Sequence, residues 1–197
     1  MSTLPKTLLT PEQYLDIERQ AAYRSEFFKG EMFAMAGASL VHNLLVANIV
    51  AALHSQLRSR PCRVLPSDMR MLVSSTGLYT YPDVVVVCND PQFADERQDT
   101  LTNPDLIVEV LSPSTEAYDR GRKFEQYRAV SSLREYLLVA SDRVHVDVYA
   151  RQADGRWLLT SANGPEGTLR LESVDCRLAL AELYEKVELE GGQSARS

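Results

Sequence analysis

Cysteine is scarce and scattered in this chain. There are only three cysteines in 197 residues, Cys62, Cys88 and Cys176, and no C-x-x-C pair occurs. An odd number of widely spaced cysteines favours neither a disulfide framework nor a zinc site. We therefore expect reduced thiols and a cytoplasmic protein.

Long hydrophobic runs and an excess of positive charge are also missing. The apolar stretch from Leu44 to Leu53 is interrupted by Asn48 and is too short to cross a bilayer, so no membrane partner is expected. The first ten residues contain no apolar core of a signal peptide. The net charge of −6 argues against a protein that coats nucleic acid by bulk electrostatics. It leaves room for a local basic groove at Arg120 and Arg122.

Neither repeats nor low-complexity linkers divide the chain. Its length suits one domain, expected over residues 1–189, with a flexible Gly/Ser/Gln-rich tail over residues 190–197. Capping and periodicity predict helices from Thr10, over residues 39–57, over about 116–130 and over 178–186. Apolar runs predict strands over residues 31–36, 63–74, 81–88, 106–111, 135–140, 144–150 and 156–161. The order indicates an α/β fold, with a mixed central sheet flanked by helices.

Two carboxylates interrupt apolar strands. Glu109 shares one face of its strand with Ile107 and Leu111, and Asp83 opens the run YPDVVVVC. A buried carboxylate is protonated, hydrogen-bonded or neutralised by a cation. If the two strands are neighbours, the pair suits Mg²⁺ or Mn²⁺, which prefer oxygen ligands. Glu109 also has plain structural explanations: it is protonated or hydrogen-bonded, or it lies near the end of the sheet and reaches water.

One face of the following helix carries Asp119, Lys123 and Tyr127, spaced i, i+4 and i+8. Packed on the sheet, this face would aim Lys123 at the two acids. A surface lysine paired with Asp119 is the alternative. Pro-Asp, then a glutamate in an apolar strand, then a lysine resembles the PD-(D/E)XK nuclease superfamily. In its usual pattern the lysine lies two residues after the acid, where this chain has Leu111; in some branches it lies on the next helix.

A closer resemblance covers residues 10–186. The segments SEFFKGEMFAMAGASLVHN, CRVLPSDMRM, YTYPDVVVVC and NPDLIVEVLSPSTEAYDRGRKFEQYRAVSSLREYLLV are similar to the Uma family of restriction-endonuclease-like proteins. The resemblance implies a restriction endonuclease-like core, αβββαβ, with extra elements at both termini. It implies a Mg²⁺-dependent or Mn²⁺-dependent endonuclease that hydrolyses phosphodiester bonds in DNA, and a homodimer.

The resemblance also assigns roles to residues. Asp83, Glu109 and Lys123 would be catalytic, with the metal held by Asp83, Glu109 and the Val110 carbonyl. Supporting roles fall to Asp119, Tyr127, His42, Glu31 and Asp68. Nucleic-acid binding by Arg120 and Arg122 is expected instead from the local cluster of basic residues, with a solvated surface as the alternative. Two other functions stay open: a catalytically inactive nucleic-acid or protein-binding module, and a phosphodiesterase for a smaller substrate. Cleavage specificity and the choice between DNA and RNA are not predicted.

Overall fold

A computed structural model describes residues 8–189, and the expected tail over residues 190–197 lies outside them. Helix α1 (Pro11–Glu18) begins as the sequence predicts: Thr10 and Gln13 form a reciprocal capping box, and Pro11 occupies the first turn. Helix α2 (Leu40–Leu57) begins at the N-cap Ser39, whose side chain accepts a hydrogen bond from the His42 N–H. Local capping chemistry thus sets both helix starts.

The strands form three sheets. A five-stranded sheet has the order β2 (Glu31–Ala34), β1 (Ser25–Phe28), β5 (Leu78–Thr80), β4 (Arg70–Val73) and β7 (Thr100–Leu101). A six-stranded sheet has the order β11 (Trp157–Asn163), β10 (His145–Arg151), β9 (Glu135–Val139), β8 (Leu106–Val110), β6 (Val84–Cys88) and β3 (Cys62–Pro66). Strands β12 (Thr168–Leu171) and β13 (Cys176–Ala179) pair with each other. The parallel β8–β9 pair makes the six-stranded sheet mixed, and the α/β prediction is confirmed.

Helix α2 covers one face of the six-stranded sheet. Its buried residues are spaced four apart, Leu45, Ile49, Leu53 and Leu57, and they pack with the Val108 face of β8. By length and composition alone this 18-residue helix is able to cross a membrane. Its apolar stripe instead contacts the largest core cluster of the described chain.

The opposite face of the six-stranded sheet carries the candidate site. Ile107 and Leu111 pack there with Met71 and Leu78 of the five-stranded sheet and with Tyr127. Tyr127 belongs to a helical stretch, residues 116–127, that consists of α3 (Glu116–Tyr118), a π-helical turn (Asp119–Lys123) and α4 (Phe124–Tyr127). Glu109 also points to this face, because strand side chains alternate.

Three predicted elements differ from the structure. The single strand expected over residues 63–74 is two strands, β3 and β4, which belong to different sheets. The helix expected over residues 116–130 contains the π-helical turn and ends at Tyr127. The last helix, α5, is only Leu180–Leu183, because the residues before it form β13. In the first and third cases, pairing with distant strands overrides the local preference.

The expectation of three free thiols was wrong for two of them. Cys62 and Cys88 are directly opposite in the antiparallel β3–β6 pair, with their Cα atoms 3.9 Å apart, and they form a disulfide. Only Cys176 is a free cysteine within residues 8–189, and it is buried. Spacing along the sequence did not reveal the pair, since strand register creates it. The cytoplasmic location stays a prediction.

Candidate active site

Strand β8 places Glu109 in the interior of the protein. All five residues of the strand are buried, and the Glu109 side chain shares its face with Ile107 and Leu111. Only 3% of Glu109 is exposed to solvent. An isolated charge there would be strongly unfavourable, so its neighbours determine its state.

The helix of residues 116–127 supplies two donors to one oxygen of Glu109. Lys123 Nζ lies 2.8 Å from Glu109 Oε1, and the Tyr127 hydroxyl donates to the same oxygen at 2.7 Å. Lys123 lies at the end of the π-helical turn, and only 6% of its side chain is exposed. The lysine that the sequence places on the helix therefore meets the strand carboxylate directly.

Glu26 of β1 is a site residue that the sequence analysis missed. Its Oε1 lies 3.5 Å from Lys123 Nζ and accepts a hydrogen bond from Thr80 Oγ1 at 2.5 Å. Its Oε2 accepts one from the Tyr118 hydroxyl at 2.9 Å. The available signal was the segment SEFF, where a glutamate precedes two phenylalanines much as Glu109 lies among aliphatic residues. The turn at Lys29-Gly30 separates β1 from β2, and only β2 was predicted.

Asp119 provides the third carboxylate around the lysine. Its Oδ1 lies 3.6 Å from Lys123 Nζ, in the i, i+4 relation expected from the sequence. Its backbone carbonyl accepts a hydrogen bond from the Tyr136 hydroxyl at 3.1 Å, which ties the π-helical turn to β9. Lys123 is thus in contact with Glu26, Glu109 and Asp119 at once.

Asp83 precedes β6 and reaches the end of β8. Its Oδ2 accepts a hydrogen bond from the Val110 N–H at 2.8 Å and lies 3.1 Å from His42 Nε2. His42 lies in the first turn of α2, so three elements converge on this carboxylate. The other ring nitrogen, Nδ1, is buried and has no hydrogen-bond partner within the described residues.

Burial has the largest effect on the pKa values of Glu109, Asp119 and Lys123. It raises the pKa of Glu109 to about 8, although Lys123 pulls it down; Asp83 and Asp119 add to the increase. Burial opposes the charge on Lys123, but Glu109, Glu26 and Asp119 outweigh it and hold the lysine pKa well above its usual range. Burial also raises the pKa of Asp119. Lys123 is therefore a permanent cation, and Glu109 holds a proton at neutral pH when no other cation is near.

Oxygen atoms suited to a divalent cation remain around Asp83 and Glu109. No hydrogen bond within residues 8–189 goes to Asp83 Oδ1 or to Glu109 Oε2. The carbonyl of Val110 faces the strand that contains Pro82, because Leu111 N–H bonds to Val139 on the opposite side. The β6–β8 register would pair Val110 with Pro82, which has no N–H to donate.

These three oxygens fit Mg²⁺ or Mn²⁺, which accept carboxylate, carbonyl and water ligands. Within the described part of the chain, no three His, Cys, Asp or Glu side chains are grouped tightly enough to hold a metal alone. A site at Asp83 and Glu109 would therefore need the Val110 carbonyl and water as further ligands.

The remaining predicted residues lie on β2, between β3 and β4, and in the π-helical turn. Glu31 pairs with Phe28 across the β1–β2 ladder, two residues along β1 from Glu26. Asp68 is largely exposed and forms an ion pair with Arg24 at 3.0 Å, away from Lys123. Arg120 donates to Glu116 and to Asp147, so its charge is already compensated. Arg122 is exposed.

Comparison with solved structures supports the fold. The chain superposes on the crystal structure of a putative nuclease belonging to DUF820 from Anabaena variabilis, with a TM-score of 0.74. The match covers 90% of this chain and 98% of the other, at 17% sequence identity. At this identity the likeness establishes the architecture only.

Sequence comparison adds the family. Two uncharacterized proteins of Synechocystis sp., sll1609 and slr1290, are 41% identical over 157 residues and 38% identical over 182 residues. The first match covers 80% of this chain and 89% of the relative, and the second covers 91% and 93%. The family model that matches residues 11–181 is described as "Uma2: Putative restriction endonuclease". The chain therefore belongs to the Uma2 family.

Proposed function

We propose that the protein is a metal-dependent endonuclease that hydrolyses phosphodiester bonds in DNA. The family description and the architecture of a nuclease support phosphodiester hydrolysis in general. The observation that carries the proposal is the buried Glu109–Lys123 pair beside Asp83, at the end of β8. The metal would be Mg²⁺ or Mn²⁺, held by Asp83, Glu109 and the Val110 carbonyl.

The charge of the cluster favours such a cation. Three carboxylates, those of Glu26, Glu109 and Asp119, contact a single lysine, and Asp83 adds a fourth negative charge close enough to raise the pKa of Glu109. Like charges at this separation are unfavourable unless protons or a cation neutralise them. A divalent ion at Asp83 and Glu109 would replace the proton that Glu109 otherwise retains. When bound, it would polarise the scissile phosphate and lower the pKa of a coordinated water.

The surrounding residues would orient the ligands. Tyr127 and Lys123 both contact Glu109 Oε1, which leaves Oε2 available for a metal. The Val110 N–H and His42 hold Asp83 Oδ2 and leave Oδ1 available. Lys123 keeps its positive charge next to the reacting phosphate, where a fixed cation stabilises negative charge that develops in the transition state.

A cleavage assay with matched variants tests the proposal. Wild type is incubated with supercoiled, linear and single-stranded DNA, in Mg²⁺, Mn²⁺ or EDTA. We expect cleavage that depends on the metal, and at least a roughly 100-fold slower rate in Asp83→Asn, Glu109→Gln and Lys123→Met. Calorimetry should show weaker Mn²⁺ binding in the first two variants and retained binding in the third. Asp142→Asn, an exposed acid, is the control.

Several outcomes would contradict the proposal. Wild type that cuts no DNA with either metal would exclude the endonuclease, and cleavage of a small diester alone would indicate a smaller substrate. Full activity in Asp83→Asn and Glu109→Gln would exclude these acids as ligands. Thermal unfolding of every variant separates a loss of chemistry from a loss of fold, since Lys123→Met leaves three buried acids without their cation.

A further inference from the structure

An exposed aromatic ring lies beside the buried acids. In the antiparallel β1–β2 pair, Phe33 is directly opposite Glu26. Directly opposed side chains lie on the same face, with Cβ atoms about 5 Å apart. Glu26 is buried, whereas 49% of Phe33 is exposed. The residues that follow Phe33, from Ala34 to the helix start at Leu40, are exposed as well and mostly apolar.

A second ring adjoins the same carboxylate from the helix side. The Tyr118 hydroxyl donates to Glu26 Oε2 at 2.9 Å, while 37% of the residue remains exposed. Arg122 follows four residues later and is therefore near Tyr118 on the helix surface. No ion pair or hydrogen bond engages the Arg122 side chain within residues 8–189. Two aromatic rings and one available cation thus border the carboxylates.

We propose that Phe33 and Tyr118 form a stacking surface for an unpaired base next to the scissile phosphate, with Arg122 contacting the backbone. This inference rests on the proposed function and specifies its substrate as a single strand, or as a duplex with unpaired nucleotides. Aromatic side chains bind any base through its π-face, and a cation binds the phosphate. In an intact duplex the faces of each base are covered by its neighbours, so the rings would have nothing to stack on.

The combination on this surface favours a nucleotide over a second copy of the chain. A nucleotide offers a flat apolar face and a negative charge within a few ångströms of each other. Phe33 and Tyr118 match the first feature, and the exposed Arg122 matches the second.

Binding of 2-aminopurine oligonucleotides in EDTA tests the inference without requiring cleavage. We expect wild type to quench the 2-aminopurine of a single strand, and of a duplex in which the probe lies opposite a gap, and to leave an intact duplex unquenched. Phe33→Leu should weaken single-strand binding by about 5- to 150-fold, the usual effect of losing one base–aromatic stack. Phe33→Trp and Tyr118→Phe keep their rings and should bind within about twofold of wild type.

Leu159→Ala is the matched control, since Leu159 is 48% exposed on the edge strand β11, in the six-stranded sheet rather than beside Glu26. Its single-strand affinity should not change. Equal affinity of wild type and Phe33→Leu, or no single-strand binding by wild type, would overturn the inference. A shift of Phe33→Leu from dimer to monomer in sedimentation, with quenching unchanged, would assign the surface to self-association. Because the assay contains no metal, absence of cleavage contradicts the proposed function alone.

Discussion

At the scale of single residues, Glu109 is tolerated in an apolar strand because its environment supplies three compensations. Tyr127 and Lys123 donate to one of its oxygens, and the remaining charge is removed by a proton. Replacing such a group by an apolar one is often neutral or stabilising, whereas removing its partner is costly. Under the proposed function, Glu109 is kept in the strand for its chemistry rather than for stability.

The raised pKa of Glu109 predicts how the stability of the metal-free protein depends on pH. The pKa is about 8 in the folded protein and 4.5 ordinarily, so between these values the folded state holds a proton that the unfolded chain has released. The contribution of Glu109 to stability should therefore fall as the pH rises from about 5 to 8, by at most about 1.4 kcal/mol per unit. Glu109→Gln should lack this component.

Urea unfolding in EDTA at pH 5, 6, 7 and 8 measures this contribution of Glu109, as the difference in the free energy of unfolding between wild type and Glu109→Gln. The variant should gain stability relative to wild type as the pH rises. Glu182→Gln, at an exposed position, should show no such trend. A difference that is constant over this range would mean that Glu109 is already ionised at pH 5.

At the scale of elements, the site depends on how two segments are held. The π-helical turn is attached to β9 by the Tyr136 hydroxyl, and to β10 by Arg120, which donates to Asp147 at 2.7 Å. π-Helical turns occur often at functional sites, since the inserted residue changes which side chains share a face. Here the turn buries Asp119 and Lys123 together. On the other side, β6 directly follows Asp83 and is joined to β3 by the disulfide.

Reduction of the disulfide should therefore loosen the edge of the six-stranded sheet. The bond closes a loop with a sequence separation of 26 residues. Constraining a loop of this length in the unfolded chain stabilises the folded state by about 3.5 kcal/mol. We expect dithiothreitol to lower the free energy of unfolding by that amount, measured by urea titration. Cys176→Ala should keep the response and Cys62→Ser with Cys88→Ser should lose it. If dithiothreitol does not change the free energy of unfolding of wild type, the disulfide is contradicted.

At the scale of the whole molecule, a net charge of −6 must be reconciled with a polyanionic substrate. The structure shows that several arginines are neutralised internally: Arg19 by Asp95 and Asp99, and Arg120 by Glu116 and Asp147. Contact with phosphate thus falls to the few cations that remain available near the site. The homodimer stays a prediction; Leu158 and Leu159, about half exposed on the edge strand β11, offer apolar surface for it.

Salt dependence should distinguish the two arginines that the sequence assigns to nucleic-acid binding. Affinity for single-stranded DNA should fall with salt, with a slope of about 0.7 per neutralised phosphate. Arg122→Ala should reduce that slope by about one phosphate. Arg120→Ala should leave it unchanged, because its guanidinium is engaged by Glu116 and Asp147. Filter binding between 50 and 300 mM salt, roughly the range in which counterion release is measured, gives both slopes. A reduced slope in Arg120→Ala with an unchanged slope in Arg122→Ala would place the basic groove at Arg120.

The sequence alone determined the parts of this protein that depend on neighbours along the chain. The capping box at Thr10, the N-cap at Ser39, the strand around Glu109 and the spacing of Asp119, Lys123 and Tyr127 all follow from interactions within a few residues. The sequence predicts that Asp83 lies near Glu109 if their two strands are neighbours. The pairing of β6 with β8 shows that they are.

Only the tertiary structure decided which distant segments meet. Glu26 joins Lys123 from 97 positions away because β1 pairs with β5, and Thr80 holds it there. The disulfide exists because β3 and β6 align Cys62 with Cys88, and one apolar run divides between two sheets. Strand pairing gains its free energy from contacts between residues that are remote in sequence. A register shift of one residue would move every side chain of the strand to the opposite face of the sheet. Such register has no local signature, so the contribution of Glu26 to the site and the disulfide were not predicted.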